Sequence, residues 1–177
     1  MATDALARFL DRLGGKNLKE DAFKDGKVLF EMYEPDLEYA WDNGKAIGRY
    51  LAELKNGRLI ARKCNKCGRI MVPPRMFCEL CWRPTDEWVY IKDTGVVNTF
   101  SICYIHFDAS RLKPGEQPYI PAVIELDGAS PGMGILHLLG GVDPKKVKIG
   151  MKVKAVWKKP ADREGSITDI MYFKPTR

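Results

Sequence analysis

The sequence predicts a mainly β protein with an α-helical N-terminal extension, and three observations carry that expectation. Four of the five cysteines, Cys64, Cys67, Cys78 and Cys81, stand as two Cys-x-x-Cys pairs with ten residues between them. Beyond Trp82 the apolar residues recur at every second position between glycines, the spacing of half-buried strands. Ahead of Leu59 they recur at helical spacing.

Residues 1–58 are expected to form the helical extension. Ala5, Leu6, Phe9, Leu10 and Leu13 make one stripe, with Thr3 or Asp4 as its cap and Gly14-Gly15 as its stop. From Phe23 to Tyr33 the pattern is mixed, and Asp25-Gly26 has the composition to turn a short hairpin ahead of Val28, Leu29 and Phe30. Leu37, Ala40 and Trp41 open a second helical stretch, interrupted or bent near Asn43-Gly44. Ile47, Tyr50, Leu51 and Leu54 continue it, and Gly57 stands where a helix closes with a left-handed residue.

Residues 59–86 read as a rubredoxin-like zinc ribbon. Leu59, Ile60 and Ala61 lead a strand into the first cysteine pair. Each pair can place two thiolates on one ion, and two pairs complete a tetrahedron at roughly 2.3 Å per zinc–sulfur bond. Gly68 permits the tight turn that aims backbone amides at the sulfurs, and Pro73-Pro74-Arg75 stiffens the return. Iron accepts the same four thiolates, but no other feature of the sequence points to electron transfer, so zinc is the expected metal. Four protein sulfurs leave no coordination position for water, which makes the site structural.

Residues 87–177 read as an OB-fold barrel. Strands are expected near 88–107, bent around Gly95, and at 119–127, 133–139, 151–158 and 166–173. Val153, Ala155 and Trp157 alternate with Lys152, Lys154 and Lys158, and Gly128, Gly132, Gly140-Gly141 and Gly165 punctuate the segments. Five short strands with glycine-marked bends suit a small closed barrel.

Composition narrows the function. The 177-residue chain is 45% hydrophobic, sufficient for packed cores, and carries a formal charge of +6. Four thiolates and one zinc ion lower that to about +4. This mild excess allows an anionic ligand without demanding one. Met-Ala-Thr-Asp opens the sequence with no apolar segment behind it, and no apolar run approaches the roughly 18 residues of a membrane helix. A soluble cytoplasmic protein is expected, a compartment in which paired cysteines bind metal more often than they form disulfides.

No catalytic constellation is expected. Once the ribbon is built only Cys103 remains, and a strand would send Cys103 and His106 to opposite faces. A buried cysteine and two strand histidines, His106 and His137, is the plainer reading. No glycine-rich phosphate loop precedes a helix. Lys152, Lys154 and Lys158 should share one outer face. Such a row usually guards a sheet edge, but it also suits phosphates, from RNA or from the nucleotide end of a cofactor. A nucleic-acid-binding ribbon and barrel is therefore the alternative. Single-strand binding would call for exposed aromatics, whereas Tyr90, Phe100, Tyr104, Trp157 and Tyr172 mostly fall where the core needs them.

The sequence resembles a known family. Leu51-x-x-Leu54-Lys55-x-Gly57-x-Leu59 runs into Cys64-x-x-Cys67-Gly68, Pro73-Pro74-Arg75 and Cys78-x-x-Cys81. Gly95-x-Val97-x-Thr99-Phe100, Pro121-Ala122-Val123-Ile124-Glu125-Leu126-Asp127-Gly128 and Ile149-Gly150-x-x-Val153 follow. The set is similar to the zinc-ribbon/OB-fold acyl-CoA-associated proteins, over roughly residues 45–177, with residues 1–45 matching less well. The resemblance implies a non-catalytic accessory subunit of a thiolase-type enzyme, in a hetero-oligomer whose partner supplies the reactive cysteine and histidines. It implies structural zinc and coenzyme A or acyl-CoA at the partner interface, with Lys152, Lys154 and Lys158 as candidates for the coenzyme A phosphates. The helical extension further suggests a thiolase small subunit of anaerobic aromatic degradation, of the benzoylsuccinyl-CoA thiolase type.

Overall fold

The computed structural model describes residues 20–29, 31, 38–106 and 108–176. The expected stripe from Ala5 to Leu13 lies outside the described residues, as does Leu37. The chain divides into two units, residues 1–41 and 42–177.

In the first unit, helix α1 (Glu20–Lys24) ends at Asp25-Gly26, whose amides donate to the Asp21 and Phe23 carbonyls at 2.8 and 3.2 Å. Asp25-Gly26 thus closes a helical turn instead of opening a hairpin, and neither Val28 nor Leu29 is in a strand.

The second unit opens with α2 (Gly44–Lys55). Ala40 and Trp41 are not helical, because the chain turns before the helix: Asp42 Oδ1 accepts from the Gly44 amide at 2.9 Å. Tyr50 and Leu54 are buried on the expected stripe, and α2 packs on β1 (Leu59–Lys63) and on the 3₁₀ turn Ile167–Asp169. It ends as expected at Gly57, whose amide donates to Leu54 O at 2.8 Å while Arg58 N reaches Glu53 O at 2.9 Å.

The ribbon contains β1, β2 (Ile70–Met71), β3 (Phe77–Cys78) and β4 (Arg83–Pro84). The long strand expected at 88–107 is three segments. β5 (Glu87–Ile91) pairs antiparallel with β1 along its whole length, from Leu59 opposite Ile91 to Lys63 opposite Glu87. The chain then breaks at Lys92-Asp93, and β6 (Thr94–Phe100) enters a second sheet. Beyond Phe100 only isolated bridges remain, at Cys103 and Ile105. Pairing, not periodicity, decides where the strand breaks. Buried Arg62 braces the junction: its Nε donates to Thr85 Oγ1 at 2.8 Å, its Nη2 bonds Thr85 O, and its guanidinium lies 4.7 Å from the Trp88 ring centroid. Arg49 covers Trp88 at 4.5 Å.

The second sheet runs β10-β9-β6-β7-β8, with β7 (Pro121–Leu126), β8 (Gly134–Leu138), β9 (Lys152–Trp157) and β10 (Ile170–Pro175). A parallel bridge between Leu139 and Phe173 joins its two edges, so the sheet closes in OB-fold order. Gly95 is required at the β6–β7 contact, since a Cβ there would lie 2.1 Å from the Glu125 carbonyl oxygen. Phe173, Ile124, Val153, Val97 and Ile170 fill the interior, each contributing roughly 1.5–3 kcal/mol by leaving water.

Asp169 is fully buried where this barrel meets α2. Burial, the largest single influence, pushes its carboxyl up. The amides of Glu164, Gly165 and Ser166, at 2.8–3.1 Å, and the Lys158 ammonium at 3.9 Å outweigh it, so the carboxyl titrates below the ordinary aspartate value. A folded-state pKa below the unfolded one, about 3.9, means that Asp169 stabilises the fold fully above about pH 4 and loses that contribution as pH falls through the folded value. Asp169→Asn should therefore cost about 2–4 kcal/mol in urea unfolding at pH 7. The gap to the unsubstituted protein should narrow progressively below pH 4; a gap of constant size would refute this account.

Candidate metal centre and interaction surfaces

The four ribbon sulfurs all lie within 4.8 Å of one another, Cys64 and Cys78 fully buried, Cys81 half-buried and Cys67 exposed. Cys67 Sγ and Cys78 Sγ are 3.7 Å apart, close to the roughly 3.8 Å edge of a tetrahedron with 2.3 Å metal–sulfur bonds and far beyond a disulfide's ~2.05 Å. The donor set fits zinc. The two cysteine pairs fold alike: Gly68 N donates to Cys64 O at 2.7 Å, and Trp82 N to Cys78 O at 2.9 Å. The Cys67 amide, reinforced by that of Lys66, brings the Cys64 thiol down to about 7, while burial and the neighbouring thiols push Cys81 up to about 12. Four sulfurs so close cannot all be anionic without a cation among them. When bound, zinc would be held by four thiolates with no open position, and would crosslink β3 and the first cysteine turn.

One difference separates the two turns. The residue after the second cysteine is left-handed in both, Gly68 at φ +75° and Trp82 at φ +52°. Glycine adopts this freely, whereas any other L residue gives up about 1–2 kcal/mol.

The lysine row is only partly as expected. Lys152 and Lys154 are exposed, flanking buried Val153. Lys158 instead turns to Asp169 and Thr168, with Nζ 3.4 Å from Thr168 Oγ1. It departs from the shared face because a buried carboxylate needs a counter-charge. Sequence reasoning missed Lys174, which stands directly opposite Lys154 across the β9–β10 pairing. Like charges in that register repel, so Lys152, Lys154 and Lys174 form the basic patch. Only strand register could have revealed the third member.

Cys103 and His106 do not point apart. Without a continuous strand beyond Phe100 the period-two rule lapses, and both line one cleft of about 340 Å³ with Ile105, Tyr119, Pro121 and Leu138. Cys103 is half-exposed rather than buried, its sulfur 3.8 Å from Ser101 Oγ. His106 engages Tyr119 Oη at 3.3 Å and Glu116 at 3.4 Å. His137 ties β8 to the 3₁₀ turn: its Nε2 lies 3.2 Å from Ile167 O, and its Nδ1 accepts from Leu138 N at 2.9 Å. A second cleft of about 260 Å³ shares Pro121 and Leu138 and adds Leu136 and Ile167. The two meet at Pro121 and Leu138 in one apolar strip outside the barrel, in which Leu136 is 69% exposed. Tyr90 and Tyr104 are also exposed, while Phe100 and Trp157 pack against the core. Among the described residues no helix is long and apolar enough to cross a membrane.

Comparison with known proteins agrees with this geometry. Residues 51–87 match the family model of the ChsH2 rubredoxin-like zinc ribbon domain, and residues 88–158 that of the ChsH2 C-terminal OB-fold domain. A DUF35 domain-containing scaffold protein of Methanocaldococcus jannaschii is 33% identical over 120 residues, 66% of this chain and 81% of that protein. A probable enoyl-CoA hydratase alpha subunit of Thermomonospora curvata is 28% identical over 103 residues, 58% of this chain and 30% of that longer protein. Among solved structures the Ltp2–ChsH2(DUF35) aldolase shares the fold, at TM-score 0.53 and 24% identity, over 80% of this chain and 98% of that one.

Because metal-binding energy is folding energy in such sites, about 10–16 kcal/mol in zinc-finger peptides, Cys78→Ser should abolish stoichiometric zinc and unfold the ribbon locally. Atomic absorption and hydrogen exchange across residues 59–91 check this; full metal content with unchanged protection would contradict it.

Proposed function

This chain belongs to the DUF35 family of zinc-ribbon/OB-fold scaffold proteins, and on that premise we propose that it is a non-catalytic subunit of a thiolase-type acyl-CoA enzyme. In this reading a thiolase-like partner makes or breaks the carbon–carbon bond, and the present chain supports the assembly and helps hold coenzyme A. The apolar strip over Ile105, Tyr119, Pro121, Leu136, Leu138 and Ile167 carries the proposal. Soluble proteins seldom leave contiguous apolar surface uncovered unless another surface closes over it. The named relatives favour this partner class. One is a scaffold protein, one a subunit of a probable acyl-CoA enzyme, and one an aldolase of two named components.

Lys152 and Lys154, with Lys174 beside them, are the proposed contacts for coenzyme A phosphates. A dianionic phosphate would relieve the repulsion between Lys154 and Lys174. A role in anaerobic aromatic degradation is the finer reading; it rests on the helical lead-in and on resemblance.

Purification from the native host tests the assembly. The chain should co-elute with a protein whose sequence is thiolase-like, and Leu138→Glu should separate the two; elution of the unsubstituted chain alone would reject the proposal. In the intact complex, Lys152→Ala combined with Lys154→Ala should raise KM for coenzyme A about tenfold and leave kcat within about twofold, as expected for loss of uniform binding contacts. An unchanged KM would remove coenzyme A from this patch.

A further inference from the structure

The second cysteine turn carries an expensive residue in an unrewarded place. Trp82 and Ala109 alone, among the described non-glycine residues, have positive φ. A left-handed tryptophan is the less tolerable of the two, because its side chain is the bulkier. The first turn solves the same backbone problem with Gly68, so the ribbon itself demonstrates that tryptophan is not needed there. Nor does the ring recover the strain from the described residues. It is 82% exposed, and among the described residues no ring or cation stacks on it. Strain retained without an internal return points to function.

The surroundings repeat the asymmetry. The first turn presents Asn65, Lys66 and Gly68 to water. The second presents Leu80 and Trp82, with Phe77 and Met76 exposed at the base of the same hairpin. These four side chains offer on the order of 500 Å² of apolar surface, enough for the centre of an interface that covers about 800 Å² per partner. The rim charges are largely paired: Glu79 meets both Arg69 and Arg75, at 2.8 and 3.5 Å, and Asp86 meets Arg83 at 2.9 Å. Three guanidinium groups thus share two carboxylates, and the rim keeps one positive charge in excess that a carboxylate of the partner would meet. The metal site holds the hairpin rigid, so little freedom is lost on binding.

We propose that Trp82 is the anchor by which the ribbon docks into an apolar cleft of the thiolase-like catalytic subunit, with Leu80 and Phe77 packing around it. This rests on the functional reading above and adds a ribbon contact separate from the barrel strip. Tryptophan is among the residues most enriched at interface hot spots.

The test is Trp82→Gly in the full chain, titrated against the thiolase-like chain that co-purifies with it and is identified by sequence. Glycine suits the left-handed turn, so the variant should keep stoichiometric zinc and melt at or above the temperature of the unsubstituted protein. Its Kd for the catalytic subunit should rise at least 30-fold, while Lys66→Ala on the polar turn should leave Kd within threefold. Tight binding by Trp82→Gly, within threefold, would overturn the anchor and leave the functional reading standing. Failure of the unsubstituted chain to bind the thiolase-like chain would reject both. Two further results would also overturn it: self-association lost on Trp82→Gly, which would make a second copy the occupant, or a ring exposed to quencher only after deletion of residues 1–41, which would make it the chain's own extension.

Discussion

Mutual repulsion among four sulfurs is the constraint on which the ribbon depends. Brought within 4.8 Å of one another, they can be thiolates together only around a cation, and apart from cysteine no side chain of the two turns that carry them is buried. Closing the tetrahedron fixes β3 against the first cysteine turn. It also fixes β1 at its downstream end, because Cys64 follows Lys63 directly. From β1 the order passes outward through hydrogen bonds: β1 pairs with β5 over five residues, and β5 leads through Lys92-Asp93 into the barrel. The β1–β5 ladder is one mechanical link between the metal site and the barrel, stiffened by the buried Arg62–Thr85 pair, and the paired hydrogen bonds between Ile70 and Ser130 are another.

Much of this was legible in the sequence because local chemistry dictates it. The cysteine spacing admits one closed site, Gly57 ends a helix for which only a left-handed residue serves, and the alternation around Val153 and Ala155 survives because β9 is paired on both sides. The misreadings share a cause: they concern residues whose neighbours are set by register across the fold. The strand-like composition runs through Lys92-Asp93, and alternation continues past Phe100, yet the partner strand changes at the first and ends at the second. Cys103 and His106 meet in one cleft because the strand that would have separated them is not there. Lys158 leaves its row for Asp169, and Lys174 joins it from another strand. None of these can be deduced from spacing within a single segment.

Trp82 is a different case. Its type and its position after Cys81 were in plain view, and the parallel with Gly68 was available from the sequence alone. What was missing was the sign of φ. A tryptophan after a cysteine turn is unremarked until the backbone is known to be left-handed there; then the residue contradicts its own conformational preference, and local preference is what makes the rest of the sequence readable.

That contradiction bears on the proposed role of a chain with a closed metal site as partner of an enzyme. Zinc with four protein sulfurs offers substrate no coordination position, so its contribution is rigidity, and rigidity is useful where a surface must be presented without loss of freedom on binding. The ribbon provides such a surface at its second turn. The barrel provides another along β7 and β8, where Leu136 and Leu138 face outward from a strand whose inward residue, Ile135, is buried. An outer sheet face built of leucine does not help the barrel fold, since the interior is already filled by Phe173, Ile124 and Val153. Both surfaces depart from what stability of the isolated chain would favour, one by backbone strain and one by apolar exposure. A protein under selection for folding alone would replace Trp82 with glycine and Leu136 with a polar residue. Retaining both is intelligible for a subunit whose stable state is the assembly.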